Sequence, residues 1–238
     1  MTTKTYVLVH GAYHGGWCWR FVADRLRALG YRVIVPTLTG LGERQHLLPS
    51  KPDLDTHIED VVRAIANEEL RDVILVGHSY GGAVVTGATD RARDAIAHLV
   101  YLDALVPQPD TRILDGASPD TLAYYEGLRV HNGGPGAIPI PPIEFFAVYE
   151  PAQVQWLQRR LDPQPVETFF TTLRLQHPLG AGKPVTYITC TEPYFPQTER
   201  FRDFAKTVPG WAHVDIATGH DAMVSAPDEL AALLASIG

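Results

Sequence analysis

Short apolar segments recur along the chain, and stretches with helical spacing separate most of them. The apolar segments are rich in leucine and β-branched residues, which is typical of buried strands. They cover residues 6–9, 33–35, 73–76, 99–102, 185–189 and 214–217. One intervening stretch places Val22, Leu26 and Leu29 on a single helical face and stops at Gly30. This alternation predicts an α/β fold with a mostly parallel sheet and helices on both faces.

The C-terminal segment predicts a closing helix. Leu230 and Leu234 recur at helical spacing, and Pro227 suits the first helical turn. Ser225 and Asp228 have the spacing of a capping box at the start of that helix. In α/β sheets of this kind ligands bind at the carboxyl ends of the strands, so we expect catalytic residues directly after strands.

The alternation stops between residues 107 and 183, where a glycine- and proline-rich stretch leads into further helical patterns. A structureless loop of this length is improbable in a compact domain. We therefore predict a core formed by residues 1–106 and 184–238, with residues 107–183 inserted as a helical cap. The expected cap helices lie at 151–161 and 165–175.

The composition of the 238 residues is that of a globular protein, since 45% are hydrophobic and 20% are charged. The formal net charge of -7 argues against nucleic acid as a partner. Cys18 and Cys190 lack the CxxC spacing of a zinc site, and two free thiols indicate a reducing compartment. The first apolar segment, 6–9, is too short for a signal peptide or a membrane span. We therefore expect a cytoplasmic protein without a membrane partner.

The strongest chemical signal is the segment Gly-His-Ser-Tyr-Gly-Gly at residues 77–82. It directly follows the apolar segment 73–76 and directly precedes a helix-compatible stretch at 83–88. This is the G-x-S-x-G pattern in the strand-turn-helix context that a nucleophile elbow requires. Glycine neighbours matter because the sharp turn strains the serine backbone and leaves no room for larger side chains. The pattern predicts Ser79 as the nucleophile of an α/β-hydrolase fold.

A serine hydroxyl is a poor nucleophile until a base takes its proton, so a histidine must reach Ser79 from elsewhere in the chain. Among ten histidines, His220 follows the last predicted strand and completes the order serine, acid, histidine. The glycine-containing segment 10–17 follows the first strand, and its amides can point at an oxyanion. A simple glycine turn is the alternative interpretation of that segment. Three residues of this loop are expected to contact the substrate: Gly11, Tyr13 and His14.

These motifs resemble a known family. Residues 9–17, 36–44, 77–82 and 219–223 are similar to segments of bacterial α/β-hydrolases. The members they resemble are close to the plant methyl-salicylate and methyl-jasmonate esterases and to the hydroxynitrile lyases. The resemblance covers the predicted core, whereas the cap matches only loosely.

The expected chemistry of a serine and a histidine needs no cofactor or metal. The nucleophile, the base and the two oxyanion-hole amides that the resemblance implies belong to Ser79, His220, Ala12 and Tyr80. The resemblance also separates esterase from lyase. The S-selective lyases have threonine where this chain has Gly11 and lysine where it has Asp221, and the R-selective lyases have asparagine in place of Gly11.

The acid of the triad has two candidates. The plant esterases carry it in a Cys-Thr-x-Asp segment, but the matching residues 190–193 are Cys-Thr-Glu-Pro, with proline at the expected position. Other α/β-hydrolases, such as a group of haloalkane dehalogenases, carry their acid after the preceding strand, where this chain has Asp103. A buried acid at a strand end can orient the imidazole as a triad requires, so Asp103 is favoured over Glu192.

The expected reaction is two-step acyl transfer from a small carboxylic ester, with an acyl-enzyme on Ser79 and water as the second acceptor. The sequence leaves open a hydroxynitrile-type C-C lyase, a lactonase or thioesterase, and a slow-turnover binding protein for small molecules. It also leaves a homodimer open. A few of the cap aromatics are expected to line an apolar pocket over Ser79. The cap aromatics are Tyr124, Tyr125, Phe145, Phe146, Trp156, Phe169 and Phe170.

Overall fold

The computed structural model describes residues 4–237, and its centre is a six-stranded parallel sheet. In their order across the sheet, the strands are β2 (Arg32–Ile34), β1 (Thr5–Val9), β3 (Val73–His78), β4 (Ile96–Leu102), β7 (Val185–Cys190) and β8 (Ala212–Ile216). Each corresponds to one of the six predicted strands, and β8 begins two residues earlier than expected. The predicted parallel α/β fold is confirmed.

Helices cover both faces of the sheet. They are α1 (Arg20–Ala28), α2 (Leu54–Asn67), α3 (Gly81–Arg91), α4 (Pro119–Leu128), α5 (Pro151–Gln158), α6 (Glu167–Phe170), α7 (Glu199–Thr207), α8 (Ala222–Ser225) and α9 (Pro227–Ser236). The chain steps from β1 back to β2 and then forward to β3, so right-handed crossovers put α1 and α2 on opposite faces. The chain leaves α1 through Gly30, whose φ of 86° lies in the left-handed region, at the predicted position.

The segment between β4 and β7 contains α4, α5, α6 and a two-stranded antiparallel pair, β5 (Ala137–Ile138) with β6 (Gln164–Pro165). The predicted helix 151–161 forms as the shorter α5. The predicted helix 165–175 is largely wrong, because Pro165 pairs in β6 and the helix ends at Phe170. The chain is then extended, and the Leu173 amide donates to the Thr111 carbonyl at 2.9 Å. Tertiary hydrogen bonds therefore override the helical spacing there.

The capping box predicted for the closing helix does not form. Ser225 ends α8, and its hydroxyl lies 2.7 Å from that of Thr218 and 3.2 Å from the Asp221 carbonyl oxygen. Ala226 stands at the N-cap of α9 without a side-chain hydrogen bond, and Pro227 occupies the first turn as predicted. The hydroxyl thus stabilises the turn before the helix.

The described chain has no helix that is both long enough and apolar enough to span a bilayer, counting residues 4–237.

The sheet brings the predicted site residues together. The segment 10–17 follows β1, Ser79 follows β3, Asp103 follows β4 and His220 lies four residues after β8. Because the strands are parallel, all of these positions lie at one edge of the sheet.

Candidate active site

Ser79 lies in the tight turn between β3 and α3, with a φ of 52°. Its amide donates to the Leu102 carbonyl at 3.1 Å. A Cβ on Gly77 would lie 2.6 Å from the Gly81 carbonyl oxygen, and a Cβ on Gly81 would lie 2.6 Å from that of His10. The two glycines of the G-x-S-x-G pattern are therefore needed for close backbone approach, as the sequence predicts.

His220 bridges Ser79 and Asp103. Its Nδ1 lies 2.7 Å from Asp103 Oδ2, and its Nε2 lies 3.0 Å from Ser79 Oγ. An ionised carboxylate can only accept, so the Nδ1 proton points at Asp103 and Nε2 of the neutral ring accepts from the serine hydroxyl. This is the tautomer in which a histidine can act as a general base toward serine.

Asp103 and Glu192 occupy very different surroundings. Asp103 is fully buried at the end of β4, with a φ of 41° and its amide donating to the Ile188 carbonyl at 2.8 Å. The Glu192 side chain is exposed, and its amide donates to the Thr218 carbonyl at 3.0 Å. The structure thus brings Asp103 to the imidazole and leaves Glu192 outside the hydrogen-bonded group.

Three residues around Asp103 and His220 were missed by the sequence analysis. The Phe195 ring stacks on the His220 ring with centroids 3.7 Å apart. The Thr198 hydroxyl donates to Asp103 Oδ1 at 3.2 Å, and Arg202 Nη1 lies 3.8 Å from the same oxygen. The sequence signal available for Arg202 is a cation between the apolar residues Phe201 and Ala205, with which it shares the buried face of α7. Nothing in the local pattern marked Thr198 or Phe195.

The predicted oxyanion-hole amides belong to Ala12, which lines the cavity over Ser79, and to Tyr80, which directly follows the serine. Neither amide donates a hydrogen bond to another residue in the described range 4–237. His10 holds the peptide between Gly11 and Ala12 by donating from Nδ1 to the Gly11 carbonyl at 2.9 Å, while its Nε2 accepts from the Leu38 amide at 3.0 Å. This arrangement requires a neutral ring, and burial lowers the pKa of His10 to about 3.

Gly11, expected to contact substrate, lies behind the serine instead. It is absent from the residues that line the cavity. A Cβ at this position would lie 2.9 Å from Ser79 Cβ and 2.9 Å from His78 Nδ1. A threonine there, as in the S-selective lyases, would force Ser79 or His78 to shift. The physical requirement at Gly11 is thus space beside Ser79 and His78. Tyr13 and His14, by contrast, line the cavity.

His14 forms a second buried carboxylate-imidazole pair. Its Nε2 lies 3.0 Å from Asp221 Oδ2, and its Nδ1 lies 2.8 Å from the Ala12 carbonyl oxygen. Both partners are acceptors, so His14 donates from both nitrogens and is an imidazolium beside an ionised aspartate. Burial opposes both charges, but their attraction prevails: it raises the pKa of His14 and lowers the pKa of Asp221.

The cavity over Ser79 has a volume of about 580 Å³. Its wall is mainly apolar and aromatic, as predicted for the cap. The cap aromatics in the wall are Tyr124, Tyr125, Phe145, Phe146 and Phe169. Trp156 packs instead against Trp17 and Phe21, and Phe170 lies under the Arg129 guanidinium. The polar side chains Thr121, Gln197 and Arg200 also line the cavity.

One cluster in the described chain has the ligand types of a metal site. Nitrogens of His78 and His220 and an oxygen of Asp221 lie within 4.8 Å of one another. Nε2 of His78 donates to the His220 carbonyl at 3.0 Å, and both His220 nitrogens are engaged by Asp103 and Ser79. A cation here would have to break the bonds that orient His220. The cluster therefore fits proton transfer better than metal binding.

The model of the alpha/beta hydrolase family matches residues 6–233 of the chain. The chain belongs to the alpha/beta hydrolase family. A relative of this hydrolase is the carbendazim hydrolyzing esterase of Nocardioides sp. (strain SG-4G), which is 43% identical with 98% of this chain and 99% of the relative covered. The methyl jasmonate esterase 1 of Vitis vinifera is 32% identical over 60% of this chain and 59% of its own. The family resemblance seen in the motifs is confirmed.

Two solved structures of the same fold are a bacterial hydrolase and a plant enzyme. An extracellular alpha/beta-hydrolase from a Paenibacillus species is 25% identical, with a TM-score of 0.80 and 99% of both chains covered. Tomato methylketone synthase I superimposes with a TM-score of 0.78 over 99% of this chain and 98% of its own, at 22% identity. The second likeness shows the shared fold alone.

Proposed function

We propose that this hydrolase cleaves small carboxylic esters through an acyl-enzyme on Ser79. The observation that carries the proposal is the continuous hydrogen-bonded series from Ser79 through His220 to Asp103, with distances of 3.0 and 2.7 Å, at the base of an apolar cavity. Esterase names among the relatives support the same reaction. Nucleophile, base and orienting acid are the groups that acyl transfer needs.

The mechanism has two steps. His220 accepts the Ser79 proton while the hydroxyl oxygen attacks the ester carbonyl, and the developing oxyanion is stabilised by the amides of Ala12 and Tyr80. The alcohol leaves with the proton that His220 returns to it. Water then attacks the acyl-enzyme with His220 as base, and the carboxylic acid leaves as Ser79 regains its proton. Asp103 stabilises the imidazolium in both steps.

We propose an ester with an apolar acyl or aryl part, because aromatic side chains dominate the cavity wall. Carbendazim belongs in the substrate panel because it stands in the name of the 43% identical relative. A lactonase or thioesterase would use the same residues, so a homoserine lactone and a thioester complete the panel. The lyase alternative has lost support, since Gly11 has no room for the threonine of the S-selective lyases.

The test compares wild type with Ser79→Ala on nitrophenyl esters, methyl salicylate, carbendazim, a lactone and a thioester. Ser50→Ala is the matched control, because Ser50 is exposed and its hydroxyl only donates to the Leu47 carbonyl. We expect Ser79→Ala to fold and lose ester turnover, and a fluorophosphonate to label wild type and Ser50→Ala alone. Full turnover by Ser79→Ala would overturn the proposal. Faster turnover of lactone or thioester would change the substrate class and leave the nucleophile unchanged.

The division into a core and a cap at residues 107–183 is part of the same proposal. The cavity wall supports it, because Tyr124, Phe145 and Phe169 reach the space over Ser79 from that segment. We also propose a cytoplasmic location, supported by the free, buried thiols of Cys18 and Cys190. Sedimentation of the purified protein would show whether it is a homodimer, and fractionation of the source cells would test the location.

A further inference from the structure

Arg202 is a buried cation directly behind the proposed triad. It lies on α7, 2% exposed, with Nη1 3.8 Å from Asp103 Oδ1. Its Nη2 donates to the Phe195 carbonyl at 3.4 Å, and its guanidinium lies 4.1 Å from the centre of the Tyr194 ring. Nη1 has no hydrogen-bond acceptor in the described part of the chain. A buried guanidinium is costly unless an anion lies near it, and Asp103 is the anion it faces.

The two Asp103 oxygens have different partners. Oδ2 accepts from His220, while Oδ1 accepts from Thr198 and faces Arg202. Positive charge at Oδ1 therefore acts on the carboxylate that must stabilise His220 as an imidazolium. A cation on this side weakens that stabilisation, because part of the carboxylate's charge is balanced from behind.

The other titratable groups around this pair lie on β3 and β7, in the loops after β1, β7 and β8, and on α7. The Tyr194 ring covers the Arg202 guanidinium, and the α7 carboxylates Glu199 and Asp203 lie at the exposed surface near that ring. Burial keeps the pKa of Tyr187 and of Cys190 well above their usual values, so both are neutral. Burial also keeps the pKa of His78 well below its usual value, so that ring is neutral as well. Asp221 carries a charge close to His220, and the His14 imidazolium balances it. The balance at Asp103 therefore depends on Arg202.

We propose that Arg202 is a positioning residue that sets the pH range in which His220 works as the base. Its charge keeps the imidazole neutral, and thus able to accept the Ser79 proton, at lower pH than the Asp103 carboxylate would allow by itself. The inference rests on the proposed esterase function. It adds a residue that touches neither the substrate nor the serine, since Arg202 is outside the cavity wall.

The test is the pH profile of kcat/KM for a neutral nitrophenyl ester. Arg202→Gln and Arg202→Met remove the charge, and Arg202→Lys is the matched control that keeps it. We expect the midpoint of the rising limb to move up by about one pH unit in both neutral variants, which lowers kcat/KM about tenfold below the midpoint. The plateau at high pH and KM should stay within a few-fold of wild type, and Arg202→Lys should keep the wild-type midpoint.

An unchanged midpoint with lower activity at every pH would overturn the inference, since that result means a purely structural role. Loss of turnover in Arg202→Gln at all pH values would do the same. Should neither neutral variant fold, the charge pair is tested by stability: adding Asp103→Asn restores folding to Arg202→Gln if the two charges pair, and failure to restore it contradicts the pairing. Failure of the esterase proposal appears separately, as turnover by Ser79→Ala.

Discussion

Ser79 and Asp103 share a backbone conformation that side chains with a Cβ rarely adopt, with φ values of 52° and 41°. Each directly follows a central strand and is held by an amide hydrogen bond to the neighbouring strand, Ser79 to Leu102 of β4 and Asp103 to Ile188 of β7. Strain of this kind persists only where surrounding structure imposes it, and it occurs preferentially at functional sites. Seven other non-glycine residues in the described range also have a positive φ, and among the nine only Ser79 and Asp103 hydrogen-bond to the His220 ring.

The first prediction at the residue scale concerns the two acid candidates. We expect Asp103→Asn to fold and to lower kcat by about 10⁴, because the amide no longer holds the reactive imidazole tautomer. The variant should also be less stable than wild type, since the buried Arg202 loses the anion that it faces. Glu192→Gln is the control, since that side chain is exposed. Steady-state kinetics on one nitrophenyl ester measures both. Loss of activity in Glu192→Gln with retention in Asp103→Asn would show that the acid is assigned to the wrong residue.

The second residue-scale prediction concerns the buried pair of His14 and Asp221. Asp221→Leu removes one partner from a buried pair, so we expect the free energy of unfolding to fall by about 3–5 kcal/mol. Asp221→Asn should lower the free energy of unfolding by less, because the amide can still hydrogen-bond to a neutral His14. Urea denaturation at several pH values measures both changes.

The pH dependence of the Asp221→Asn effect follows from the two pKa shifts. The raised pKa of His14 means that its contribution to stability is complete below the ordinary histidine value and is lost as pH rises through the raised one. The lowered pKa of Asp221 means that its contribution is lost only as pH falls through the lowered value. The loss of stability should therefore be largest between about pH 4 and pH 6.5 and shrink in alkali. An equal loss at pH 5 and pH 10 would contradict an ion pair.

At the scale of elements, the site depends on how closely α3 approaches the loop after β4. A Cβ on Gly82, in the first turn of α3, would lie 2.5 Å from the Leu105 carbonyl oxygen and 2.7 Å from Ala104 Cβ. These two residues follow Asp103 directly. The helix that begins directly after Ser79 and Tyr80 thus packs backbone to backbone against the segment that follows Asp103, and each positions the other.

This contact predicts that Gly82→Ala lowers both stability and activity. Overpacking against backbone costs about 1–3 kcal/mol in unfolding free energy, and movement of the loop should lower kcat because Asp103 moves with it. Gly127→Ala on α4 is the matched control, since a Cβ there meets no atom within 4 Å. That variant should gain about 0.5–1 kcal/mol from helix propensity alone. A stable, fully active Gly82→Ala enzyme would contradict the tight contact.

At the scale of the whole molecule, the sheet and its loops hold Ser79, His220 and Asp103, and the segment between β4 and β7 forms much of the cavity wall above Ser79. That space is walled by aromatic rings, and Arg200 at its wall is held by the backbone carbonyls of Ile113 and Asp115. Binding energy for the acyl chain is therefore expected to come chiefly from apolar burial.

Apolar burial predicts the dependence of rate on acyl length. From nitrophenyl acetate to butyrate, kcat/KM should rise about fourfold per methylene, because each buried methylene contributes about 0.8 kcal/mol. Nitrophenyl methoxyacetate matches the butyrate in length and is the polar control. To remove the difference in intrinsic reactivity, kcat/KM for each ester is divided by the rate constant of its hydrolysis by hydroxide. On this normalised scale the methoxyacetate should react several-fold more slowly than the butyrate. Equal rates for the two esters would mean that the acyl group stays in water.

Much of this protein could be predicted from local pattern. The six strands, the helices between them, the elbow at residues 77–82 and the family membership follow from runs and spacings of a few residues. The burial typical of such runs holds for the inner strands, whereas the edge strands β2 and β8 are partly exposed. Such features are determined locally, because strand and helix periodicity and the steric demands of a tight turn act over a few positions. The secondary-structure predictions failed where contacts between distant residues override the helical spacing of apolar residues. One example is the segment after α6, which hydrogen-bonds to Thr111 instead of continuing the helix.

Only the tertiary structure shows which residues of the site pair with one another. Asp103 and His220 are 117 positions apart, and His14 and Asp221 are 207 positions apart. No periodicity connects such residues, because their meeting depends on the order of the strands and on which loops share one edge of the sheet. The sequence alone marked Ser79 and His220 by their local context. Packing decided how Asp103 faces His220. The loop after β4 and α7 meet at the buried Asp103 carboxylate, and this contact places Thr198 and Arg202 behind it.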